Sequence, residues 1–215
     1  MAVSETFNFC TRFNQVELLG RSAKNLVELL EGIREVSGSS IYYHTHRFLQ
    51  QHHYLSPGPP NDFAYWITNI LQENFLGEKF SGVDIVQFRT IRDLRMKFVE
   101  LIEDYLDDKK QVRDCLEGHE FQFMSCRTFI LPTPYVANNL YEFRSIISEI
   151  SIDSLYFHCF EARLRLERDE NDFSRWLKDM GKVELAREVS KLDPYSCTLE
   201  GLRNKIISLL DNKNG

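Results

Sequence analysis

The chain repeats itself, and that repeat limits what it can fold into more than any other feature. Sliding the sequence past itself by 114 positions lays residues 7–44 on 121–158 without a gap. Identical pairs include Phe7/Phe121, Phe9/Phe123, Asn25/Asn139, Glu28/Glu142, Glu35/Glu149, Tyr42/Tyr156 and His44/His158. Twelve of the 38 aligned positions are identical, where ordinary residue usage gives roughly two or three by chance. The match resumes at a shift of 110, where Asn61-Asp62-Phe63-Ala64-Tyr65-Trp66 meets Asn171-Asp172-Phe173-Ser174-Arg175-Trp176. A third block at a shift of 108 pairs Thr90, Leu94, Arg95 and Lys97 with Thr198, Leu202, Arg203 and Lys205. The shrinking offset marks deletions at loop-like segments, where chains tolerate them.

Each copy opens with Phe-x-Phe, read as an extended or irregular arm. The stripe Leu26, Leu29, Leu30, Ile33 then predicts a helix near 22–36,. Ser37-Gly38-Ser39-Ser40 breaks it, and a second helix follows over about 41–54, with 154–167 as its counterpart. A third helix starts at each Asn-Asp-Phe, with Asn or Asp as the cap, and a fourth after Thr90 or Thr198. The first copy's last helix is expected to run on as a charged connector to Arg113, with Gly118 beyond its end. No period-2 alternation long enough for a sheet stands out. The expected fold is therefore all-α, a tandem duplication of a roughly four-helix unit packed about a pseudo-two-fold axis. The expected divisions are a first helical repeat over 1–105, a charged helical connector over 106–120 and a second repeat over 121–215. Units this small favour a shared core.

Composition narrows the function classes. A net charge of −6 with no basic block argues against nucleic acid,. No apolar run approaches a membrane span, and the N-terminal residues lack the basic start and apolar stretch of a signal peptide. The five cysteines are odd in number and show no Cys-x-x-Cys spacing, which points to reduced thiols in the cytoplasm rather than zinc or disulfides,. No cofactor motif and no catalytic signature is present: no Gly-x-Ser-x-Gly, no His-Glu-x-x-His, no phosphate-cradling glycine loop.

Two groups of residues carry whatever chemistry exists. His44, His46, His52 and His53 crowd the second helix, but their spacing on a regular helix does not converge on one metal, and only His44 recurs,. His44 and His158 with Glu28, Glu142, Glu35, Glu149, Tyr42 and Tyr156 form the candidate ligand-binding set. Duplication could bring them together at the repeat junction. The Glu-x-x-His pairs of a di-iron bundle are missing. Each imidazole bonded to a nearby carboxylate or helix end is the simpler reading. Phe63, Trp66, Phe173 and Trp176 are read as structural anchors, and Asp62 and Asp172 as caps that could also face a ligand.

The segment Glu31-Gly32-Ile33-Arg34-Glu35-Val36-Ser37-Gly38-Ser39-Ser40-Ile41-Tyr42-Tyr43-His44-Thr45-His46-Arg47-Phe48-Leu49 resembles an uncharacterised bacterial family of about 200 residues,. Asn171 through Leu177 and Leu192-Asp193-Pro194-Tyr195 through Arg203 resemble it too. That family has no established activity, so the resemblance assigns no catalytic residue. The function expected from these observations is a non-enzymatic helical module that binds a protein partner or self-associates. The alternative is a small-ligand or metal site at the repeat junction.

Overall fold

The computed structural model describes residues 6–48, 59–108, 111–162, 170–192 and 198–212. His52 and His53 lie outside them. The chain divides into two compact units. The continuous unit spans 14–127, and the discontinuous unit joins the residues up to Phe13 to those from Thr128 onward.

Two long strands overturn the all-α expectation. β1 (Phe7–Ala23) and β2 (Phe121–Ala137) each run 17 residues and pair as a two-stranded antiparallel sheet. The fold is mixed α and β, not a helical bundle. The sequence carries little strand signal because only the ends of these strands alternate. Phe7 and Phe9 in β1, and Phe121 and Phe123 in β2, are buried with an exposed residue between them, whereas Val16, Glu17, Leu18 and Leu19 are exposed in succession. A stretch exposed on both faces needs no inside-outside periodicity. Pro132 and Pro134 further weaken a strand reading of β2,.

In the continuous unit, α1 (Leu26–Glu35), α2 (Gly38–Tyr42), a π turn (Tyr43–Arg47), α3 (Asp62–Asn69), α4 (Asn74–Ser81) and α5 (Ile91–Asp107) enclose Phe121 and Phe123. Asn25 caps α1 by accepting from the Glu28 N–H at 2.9 Å. The Leu26, Leu29, Leu30 and Ile33 stripe is buried, as its spacing implied. Asn61 caps α3 and also donates through Nδ2 to the Phe80 carbonyl at the end of α4, tying the two helices together. Thr90 caps α5. α4 had no counterpart in the sequence reading, and α5 stops at Asp107 instead of continuing to Arg113.

The discontinuous unit repeats this plan around Phe7 and Phe9. Its helices are α6 (Leu140–Glu149), α7 (Ile152–Tyr156) followed by a π turn (Phe157–Glu161), α8 (Asp172–Asp179), α9 (Val183–Ser190) and α10 (Leu199–Asn212). Asn139 caps α6 and Asn171 caps α8 through the same bonds as their counterparts. Arg203 donates to the carbonyls of Ile147 and Ile150, closing the end of α6, as Arg95 does with Arg34 and Val36 at the end of α1. Those bonds account for Arg95/Arg203 recurring: a charged donor satisfies carbonyls that a helix end leaves open.

Gly32 shows how closely an arm is held. A Cβ placed there would sit 2.1 Å from Cζ of Phe123. An exposed helical Gly→Ala stabilises by about 1 kcal/mol. Gly32→Ala is expected to do the reverse, destabilising by about 1–3 kcal/mol in denaturant unfolding through overpacking. A stabilised variant would show that Phe123 does not fill this site.

Candidate functional site

The recurring residues converge on one arrangement, built once in each unit. In the continuous unit, His44 sits on the π turn with its side chain buried. Its Nε2 lies 2.9 Å from the backbone nitrogen of Met124 in β2, and its Nδ1 lies 2.6 Å from Oδ2 of Asp62 at the start of α3. A backbone N–H can only donate, so Nε2 accepts. The neutral ring then carries its proton on Nδ1 and donates it to the Asp62 carboxylate. In the discontinuous unit, the Cys10 N–H donates to His158 Nε2 at 2.9 Å, and His158 Nδ1 donates to Asp172 Oδ2 at 2.7 Å.

The π turn makes this possible. On a regular helix His44 and His46 face opposite ways. In the wider turn His44, Thr45 and His46 are all buried, and the counterpart Phe157 through Glu161 is buried throughout. Such turns concentrate at places with a special task. His46 stacks on Tyr42 and lies 3.1 Å from Thr45 Oγ1 through Nδ1.

Phe rings pack against each imidazole. His44 meets Phe63, Phe121 and Phe123, and His158 meets Phe7, Phe9 and Phe173. Trp66 and Trp176, each 5% exposed, back Phe121 and Phe7 respectively. Trp66 also donates Nε1–H to the His119 carbonyl.

The other candidates fall elsewhere. Glu28 and Glu142 accept backbone N–H bonds from Lys24 and Asn138, so helix capping accounts for their recurrence,. The Asn138 N–H holds the Glu142 carboxyl below its usual range. Glu35 pairs with Arg21, and Glu149 is exposed at the end of α6. Tyr42 is half-buried. Tyr156 is fully buried, and burial pushes its hydroxyl far above the usual range, offset in part by the Arg12 guanidinium 5.3 Å from its ring centre. Arg12 and Glu161 form a buried ion pair that the sequence reading missed. Their counterparts are Cys126 and Arg47, so the repeat gave no signal for it.

Chemically, both nitrogens of each imidazole are occupied within its own unit. Nε2 holds a strand and cannot at the same time abstract a proton or ligate a metal. Among the described residues, no group of three His, Cys, Asp or Glu is placed to hold a metal ion. A cavity of about 510 Å³ beside Lys79, Asp84, Phe88 and Lys97 contains none of the candidate residues.

Two outcomes check the arrangement. His44→Phe keeps a ring but offers Met124 no acceptor, so stability should fall by about 1–3 kcal/mol, the cost of a buried unmet donor. Unchanged stability would contradict the bond. Glu142 has a lowered folded-state pKa, so its contribution is present above the ordinary glutamate value and is lost as pH falls through the folded value,. Below about pH 4.3, Glu142→Gln should therefore lose less stability than the parent in acid titration of unfolding. Parallel acid limbs would refute the cap.

Comparison with known proteins places the whole arrangement in a family. The solved structure of OrfY from Thermoproteus tenax is similar over 100% of this chain and 99% of its own, with 25% identity and a TM-score of 0.84. The resemblance had suggested a bacterial family, but this solved structure comes from an archaeon. No curated protein matches. No described helix is long and apolar enough to cross a membrane. A family described as of unknown function, DUF5752, matches residues 4–211, and the chain belongs to it.

Proposed function

We propose that the protein is a non-enzymatic association module that binds a protein partner or a second copy of itself. One observation carries the reading. In the middle of β2, Phe129, Ile130 and Leu131 are 43%, 50% and 47% exposed. Successive strand residues point to opposite faces, so three bulky apolar residues in a row leave both faces of this stretch uncovered. Exposed apolar surface of that kind is costly in water and marks interaction sites. The engaged imidazoles support the same reading, because His44 and His158 each use both ring nitrogens to hold a strand and an aspartate within their own unit. A cytoplasmic location is part of the proposal, supported by an odd number of cysteines without paired spacing,.

Native mass spectrometry of the tag-free protein from its own cells tests the reading. The expected result is a stoichiometric complex heavier than the 25.4 kDa chain, lost when Phe129→Ser and Ile130→Lys are combined. A lone 25.4 kDa chain in both proteins would overturn it. A chelator-sensitive adduct or a bound small molecule would replace it with a ligand-binding function.

A further inference from the structure

We infer that the outer edge of β1, centred on Val16, pairs with the same edge of a second copy across a two-fold axis. The inference rests on the association reading and goes beyond it, adding a self-association contact on β1 to the exposed β2 stretch that carries that reading.

The Cys10 N–H leaves β1 toward His158, away from β2. Outward N–H groups alternate along a strand, so the even positions of β1, Val16 and Leu18 among them, aim theirs away from β2. The same logic applies in β2, where the Met124 N–H leaves toward His44. Pro132 and Pro134 share that parity and have no N–H at all,.

Most of this outward edge is therefore protected. His158 takes the Cys10 N–H, Ser154 Oγ donates to the Cys10 carbonyl, and His44 takes the Met124 N–H. The prolines blunt the far half of β2. Such devices keep edges from pairing with other chains. Among the described residues nothing comparable stands at Val16 and Leu18, which are 40% and 60% exposed in a sheet of two strands. Two-stranded ribbons without cover are marginal in water, and a third strand stabilises them.

The segment is complementary to itself in one register. Antiparallel pairing centred on Val16 places Val16 against Val16 of the second copy, with the two residues exchanging both backbone bonds. Gln15 then faces Glu17 of the other copy, twice, so an amide donor meets each carboxylate. Shifting the centre to Glu17 would set two carboxylates face to face, which is destabilising. Shifting it to Leu18 would draw in Gly20, whose φ of +68° breaks the regular strand,. Because the contact is isologous, it is used up when two copies pair, and assembly closes at two.

The test uses the full chain and charge pairing at the dyad. Light scattering after size exclusion should give twice 25.4 kDa for the parent. Val16→Lys alone and Val16→Glu alone should each be monomeric, because like charges then meet across the axis. Mixing them should restore a heterodimer. A single cooperative thermal unfolding transition in each variant shows that the monomers are folded, at a midpoint no higher than the parent's because the partner's contribution is gone. Val16→Pro, which removes the central donor on an edge strand that tolerates proline, should also give monomer. A monomeric parent overturns the inference, as does a parent dimer that survives Val16→Lys. In the second case association runs through another surface, and the association reading stands. If a different protein occupies the edge in the native complex, the partner named here is wrong while the association reading again stands.

Discussion

An extended strand of 17 residues is stiff and long, and the rest of the fold follows from that. At about 3.3 Å per residue it reaches roughly 55 Å. An arm at its start cannot fold back onto the helices that follow its end. Phe7 and Phe9 begin the first sequence repeat, yet they fill the helical shell of the second. Phe121 and Phe123 begin the second repeat and fill the shell of the first. The compact units therefore divide inside the strands, at residues 13/14 and 127/128, and not at the repeat boundary.

Seen this way, most of the recurring residues share one task. Phe-x-Phe supplies rings to a shell. The histidine takes the outward N–H three residues after the first Phe, and the aspartate fixes its tautomer. The asparagine beside that aspartate caps the helix that carries it, and tryptophan backs the leading ring. Hydrogen bonds to a buried arm contribute modestly when made, and cost about 1–3 kcal/mol when left open. Selection on each copy to meet the same buried donor explains why this set resisted drift. A catalytic or ligand-binding role is not required for it.

The sequence revealed the parts whose signal is local. The repeat, the helix starts at Asn61, Thr90 and Asn171, and the burial of Trp66 and Trp176 all follow from short-range pattern, whereas the first helix, expected from about residue 22, starts at Leu26 behind its Asn25 cap. It concealed the parts whose cause is tertiary. The middle of each strand is exposed on both faces, so Val16-Glu17-Leu18-Leu19 and Phe129-Ile130-Leu131 show no alternation. The π turn moves His46 inward against the regular-helix expectation. The partners of His44 and His158 were half visible. Asp62 and Asp172 recur with them in the sequence, but the strand N–H they serve is a backbone group with no signature.

A through-bond measurement can show which helical shell holds each arm. In protein labelled with 15N, scalar coupling across hydrogen bonds links a donor nitrogen to its acceptor nitrogen. Exchanged arms require coupling between Cys10 N and His158 Nε2, and between Met124 N and His44 Nε2. Coupling of Cys10 to His44 and of Met124 to His158 would mean that each repeat keeps its own arm, and would contradict the exchange.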